Sequence, residues 1–106
     1  MEDQNILNEK LSEKQHIDYV FLFHGYTIMV MKNGTNEVLD IPLGSLEKIL
    51  SGDTFFRIHR SYIVNLERVR EMKVQKNKLL IQMRGQDLPV ARRRRKQLLK
   101  LLGAVN

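Results

Sequence analysis

From Ile17 onward the chain runs in short blocks of β-formers separated by turn residues. "IDYVFLF" breaks at Gly25, "YTIMVM" breaks at "KNGTN", and "EVLDI" follows. Such blocks predict strands. Asn33-Gly34 is a strong hairpin signal and predicts a type I′ turn, which needs positive φ at both central positions. Pro42 then opens "LGSLEKIL", where Leu43, Leu46, Ile49 and Leu50 form an apolar stripe, so a short helix is expected, ended by Ser51-Gly52-Asp53. After "FFRIHRSYIVNLERV" come three more strand candidates: "RVREMKVQ" with Val69, Met72 and Val74, then "LLIQMRG" beyond a Lys76-Asn77-Lys78 turn, then "LPV" beyond a Gln86-Asp87 turn. The last block, "ARRRRKQLLKLL", lacks β-formers and spaces Leu98, Leu101 and Leu102 for a terminal helix. Residues 1–16 are polar, with Leu7 and Leu11 placed to share one helical face, and read as an arm or linker ahead of a domain over 17–106.

Composition narrows the class. At 106 residues with 42% hydrophobic content and no long apolar run, one globular domain is expected and a membrane span is not. The opening "MEDQNILNEK" is polar and acidic rather than a leader, and the chain has no cysteine, so the expected compartment is the cytoplasm. Charge is divided unevenly: residues 1–53 hold four Lys/Arg against nine Asp/Glu, and residues 54–106 hold fourteen against three. A basic half of this strength points to a polyanionic partner, with a basic surface kept for solubility as the plainer reading.

Catalytic chemistry has no visible constellation. His16, His24 and His59 show no metal-ligand spacing, no carboxylate pair stands out, and there is neither a phosphate-binding glycine loop nor a dinucleotide fingerprint. The chain is therefore expected to be no enzyme and to need no cofactor or metal. On composition and periodicity alone it reads as a small α+β domain with a basic half.

One block goes further. "FRIHRSYIVN", from Phe56 to Asn65, resembles the hallmark of the LytTR family of bacterial DNA-binding domains. "YVFLFHGYT" resembles that family's segment leading into its first turn, "SLEKIL" its Leu-x-x-Leu helix, and "LPVARRRRKQLLKLL" its Leu-Pro-Val-Ser-Arg motif with the terminal helix, so the likeness covers about Ile17 to Leu102. Phe21 stands where the family has an acidic residue, Ala91 where it has serine, and residues 1–16 do not read as its opening strand pair. The resemblance implies a mostly β, elongated stack of short antiparallel sheets with a short central helix and a C-terminal helix. It also implies sequence-specific binding of double-stranded DNA in transcription regulation, through loops and strand ends set into successive major grooves with bending of the duplex. The chain would then be a free-standing regulator or the output module of a two-component response regulator. Direct-repeat promoter sites would let a second copy sit alongside on DNA, with no small-molecule substrate and no membrane. Rival readings are an RNA-binding module, or a protein or membrane interaction domain using the basic C-terminal helix.

Within that frame the candidate DNA-binding residues are His24, Gly25, Tyr26, Thr27, Arg57, His59, Arg60, Ser61, Asn65, Arg92, Arg93, Arg94, Arg95 and Lys96. Arg60 and Ser61 read as a loop tip clamped by Ile58, Ile63 and Val64, with an Arg fork able to grip guanine or a phosphate; the plainer reading pairs Arg60 with Glu67. Asn65 and His59 each also read as backbone anchors. The loop His24-Gly25-Tyr26-Thr27 resembles the family's first DNA-contacting loop, and its glycine permits close approach to phosphate; an ordinary turn with Tyr26 half-buried is equally open. Five cations from Arg92 to Lys96 sit in the first turns of a predicted helix, where the dipole disfavours them unless an anion is present. By position Arg93 is similar to the family's base-reading arginine.

Overall fold

The computed structural model describes residues 11–50, 52 and 54–103. Leu7, Ser51 and Asp53, which carried parts of the expectations above, lie outside the described residues. Among the described residues, eight strands form two antiparallel sheets. β1 (Ile17–Phe23), β2 (Tyr26–Met31), β3 (Asn36–Leu39), β4 (Phe55–His59) and β5 (Tyr62–Asn65) make a five-stranded sheet in the order β3-β2-β1-β5-β4. β6 (Glu71–Gln75), β7 (Lys78–Met83) and β8 (Gln86–Pro89) make a three-stranded meander. Helix α1 (Leu43–Leu50) links β3 to β4, and α2 (Arg95–Leu101) ends the chain. The extents, 44 × 28 × 25 Å, are those of an elongated molecule.

Alternation along the strands gives the large sheet two buried faces. Val20, Met29, Phe55 and Ile63 point to one side and meet Leu43, Leu46 and Leu50 of α1. Their neighbours Tyr19, Val30, Phe56 and Val64 point to the other and meet Leu79, Ile81, Met83 and Leu88 of the small sheet, together with Leu98 of α2. Each leucine so buried contributes about 1.5–3 kcal/mol. A bulge between Ile17 and Tyr19 returns Ile17 to the α1 side, and Asp18 sits at that irregularity. The Asp18 carboxylate, 3% exposed, takes Arg68 Nε on Oδ1 and Arg84 Nη1 on Oδ2, each at 2.9 Å, which fastens the small sheet to the large one. Leu11 is half-buried against the α1-side core, and a 3-10 turn over Lys14–His16 leads into β1.

The turns correct the sequence reading in two places. Type I′ geometry was expected at Asn33-Gly34, yet only Gly34 takes positive φ there (93°). Asn33 Oδ1 instead accepts from the backbone and hydroxyl of Thr35 at 3.0 and 2.8 Å, which favours a wider loop. A side chain at Gly34 would also meet the Arg84 guanidinium at 2.9 Å. Two-residue turns with both φ values positive occur at His24-Gly25 (49°, 85°), Lys76-Asn77 (53°, 65°) and Arg84-Gly85 (50°, 75°). The β7–β8 turn is thus Arg84-Gly85, while Gln86-Asp87, expected as the turn, opens β8 and pairs with Met83 and Gln82.

Candidate nucleic-acid interface

Three segments meet at one end of the large sheet. The first is the tight β1–β2 turn, His24-Gly25. The second is the β4–β5 turn, Arg60-Ser61, whose Ser61 carbonyl accepts from Leu22 N–H at 3.0 Å and so lies beside the first. The third is the strand exit at Ala91, whose N–H donates to the Ile58 carbonyl at 2.8 Å. Arg60 and Arg93 are each two residues from that last bond, so the two arginines spring from a common base. Among the described residues neither guanidinium has a hydrogen-bond or ion-pair partner, and both side chains are exposed.

The Arg60-Ser61 bend is built from inside. A register shift between Arg57 and His59 frees the chain for a turn without positive φ. Arg57 is largely buried, with Nη1 on Glu47 Oε1 at 2.9 Å, Nε donating to the His59 carbonyl at 3.3 Å and Nη2 to the Arg60 carbonyl. His59 Nδ1 accepts from Ser61 N–H at 3.1 Å, which requires that nitrogen to be unprotonated. Burial holds the His59 pKa below its usual value, and the nearby charges of Arg60 and Arg57 push the same way. The tip of Arg60 thus rests on a fixed pedestal.

Not every expected contact residue is available to a ligand. Thr27 is buried, and its hydroxyl donates to the Ile41 carbonyl at 2.7 Å, because it lies on the α1 side of β2. Asn65 is fully buried, donating from Nδ2 to the Ile17 carbonyl at 2.9 Å and accepting on Oδ1 from Glu67 N–H at 2.9 Å. Arg57 is spent on the pedestal. Arg95 is half-buried and donates to the Asn77 carbonyl at 2.8 Å, and its Nε is buried without a partner among the described residues. The Arg run also begins as a 3-10 turn, Arg92–Arg94, so α2 proper starts only at Arg95 rather than at the head of the run. Among the expected residues, His24, Tyr26, Arg60, Arg92, Arg93 and Lys96 are exposed, and His59, Ser61 and Arg94 are partly so.

Two participants escaped the sequence reading. Glu47 orients Arg57 from another element, ten residues away. Phe23 is 55% exposed beside the first turn, at the end of a line of rings: Phe21 lies 6.3 Å from Phe23 and stacks on Tyr62 at 6.2 Å, and Tyr62 is 5.8 Å from His59. The alternation Tyr19, Phe21, Phe23 was the available signal. Two other cations of the basic half are paired: Arg84 with Asp18, and Lys73 with Asp87 at 3.2 Å. No group of potential metal ligands occurs among the described residues, and no described helix is long and apolar enough to cross a membrane.

This architecture has known counterparts. A solved LytTr DNA-binding domain from Bacillus cereus superposes with a TM-score of 0.74 at 25% identity, covering 84% of this chain and 83% of that one. The sensory transduction protein LytT of Bacillus subtilis (strain 168) is 32% identical over 93 residues, which is 86% of this chain and 34% of that protein, so the chain spans about a third of that relative's length. The family model of the LytTr DNA-binding domain matches residues 10–103. With nearly the whole chain matched in sequence and the two-sheet fold matched in space, the chain belongs to the LytTr DNA-binding domain family, which serves DNA binding in transcription regulation.

Proposed function

We propose that the end of the domain carrying His24, Arg60 and Arg92-Arg93 binds double-stranded DNA sequence-specifically, with Arg60 and Arg93 on base edges in the major groove and Arg92, Arg94 and Lys96 on phosphates. The observation that carries this is the hydrogen bond from Ala91 N–H to the Ile58 carbonyl, which gives two unpaired guanidinium groups a shared origin. A guanidinium fork matches guanine O6 and N7, and each such pair discriminates against a wrong base by about 1–3 kcal/mol. Prepaid ordering of the bend by Arg57 and His59 lets that contact form at little entropic cost. The longest dimension, 44 Å, exceeds the rise of roughly 34 Å per turn of duplex, so the domain is long enough to touch successive major grooves. Bending the duplex toward it would cost a few kcal/mol and bring more phosphates within reach. Direct-repeat sites would seat two copies side by side.

Selection of bound duplexes from a random pool tests the reading, repeated with Arg60→Ala and Arg93→Ala. Lost preference at particular positions marks a base reader, and uniform weakening marks a phosphate contact. With Arg92, Arg94 and Lys96 directed at phosphates, log K should fall with log salt at a slope of about −3. A slope near zero, or preference for single-stranded RNA over duplex DNA of the same length, overturns it.

A further inference from the structure

We propose that Phe23, with its cross-strand partner Tyr26, reads thymine by packing on C5-methyl groups in the major groove. This rests on the DNA-binding reading above and assigns to the same end a recognition chemistry that its arginines lack.

Phe23 and Tyr26 are directly opposite across the β1–β2 hairpin, so their rings share one face, and they are 55% and 61% exposed. Leaving such rings in water forgoes stabilisation that burial would give, and an exposed aromatic pair is a more informative observation than an isolated surface leucine. The Phe23 ring is held from two sides, by Phe21 at 6.3 Å and by the His24 ring edge-on at 4.3 Å. The turn between the pair is a tight two-residue turn, which fixes both strand ends. The Phe23 ring is therefore held in place, with Tyr26 exposed on the facing strand end.

Its surroundings select the partner. Segments 19–31, 54–66 and 88–103, which converge on this end, contain no Asp or Glu and carry the Arg60 and Arg92–Lys96 cations. A polyanion is the complementary surface. Phenylalanine offers no donor or acceptor, and the apolar feature that a base edge presents in the major groove is the thymine methyl. The hydrogen bond from Leu22 N–H to the Ser61 carbonyl places Phe23 and Arg60 each one residue from a shared contact, so the thymine read by Phe23 lies within a base pair or two of the base facing Arg60.

The test starts from a duplex selected from a random pool by the unaltered chain. Each thymine is replaced in turn by uracil, which removes the methyl and keeps the pairing edge. At one or two positions affinity should fall about fourfold, the scale of one buried methyl. Phe23→Ala should bind the thymine and uracil forms equally, Phe23→Leu should retain part of the difference, and Arg60→Ala should weaken both forms while keeping their ratio. Thermal melting checks that each variant is folded. The inference is overturned if no uracil substitution matters, or if Phe23→Ala keeps the ratio of the unaltered chain. It is equally overturned if sizing shows self-association that Phe23→Ala removes while the ratio stays. If no duplex is enriched at all, the DNA-binding reading itself has failed, a different result from tight duplex binding indifferent to the methyl.

Discussion

The Glu47 carboxylate lies 2.9 Å from the Arg57 guanidinium, whose remaining donors hold the carbonyls of His59 and Arg60. A charged pair in one of the most basic regions of the chain is thus directed inward, to shape a turn. Replacing both members, Glu47→Gln with Arg57→Gln, keeps net charge constant and removes the hold. Duplex affinity should fall by up to about tenfold through the cost of ordering the Arg60 bend at binding. Titrations across salt should show an unchanged slope, whereas Arg92→Ala should reduce its magnitude by about 0.9. Equal slope changes in the two would show Arg57 to be a phosphate contact.

Asn65 ties β5 to β1 and to the following 3-10 turn, Leu66–Arg68. Asn65→Ala would leave the Ile17 carbonyl and the Glu67 N–H unpaired, costing about 2 kcal/mol or more. In a domain of this size that is a drop of about 10 °C in Tm, read by calorimetry. A shift within a degree or two would mean that water replaces the amide.

His59 predicts a pH dependence of stability. Its folded pKa is depressed, first by burial and then by Arg60 and Arg57, so between that value and the ordinary 6.5 the unfolded chain binds the extra proton. Stability should therefore be lost as pH falls from about 6.5 through the folded value, and be insensitive to this group above 6.5. Urea denaturation at stepped pH should show His59→Gln flattening that slope, and an unaltered slope in the variant would rule the group out.

Asp18→Asn removes the charge that two guanidinium groups share at the junction of the sheets. A loss of about 2 kcal/mol is expected, below the roughly 3–5 of a fully buried pair because Arg68 and Arg84 are each about a third exposed. Unlike a surface ion pair, the loss should persist in denaturation at 0.5 M salt, since screening acts weakly on a carboxylate this deep.

Much of the fold was legible because the physics behind it is local. The strand blocks, Leu43, Leu46 and Leu50 of the α1 stripe and the Ile58, Ile63 and Val64 clamp follow from side-chain periodicity, whereas Ile49, expected in that stripe, is exposed at the edge of the helix face. Turn placement was less so: Asn33 spends its side chain on Thr35, which no dipeptide rule sees, and Arg84 accepts positive φ while bonded to Asp18 and the Lys32 carbonyl. The candidate site divided in the same way. That Arg60 and Arg93 are exposed could be read from the chain, but the burial of Thr27, the Asn77 contact of Arg95 and the Glu47 hold on Arg57 depend on pairings 10 to 18 residues apart.

The five-stranded sheet is upholstered on both sides, and its middle strand therefore has nowhere to slide. A one-residue slip of β1 would thrust Tyr19 beneath α1 and Val20 into the aromatic layer, spoiling both compartments together. The hairpin tips inherit that immobility, as the teeth of a key do from its shank.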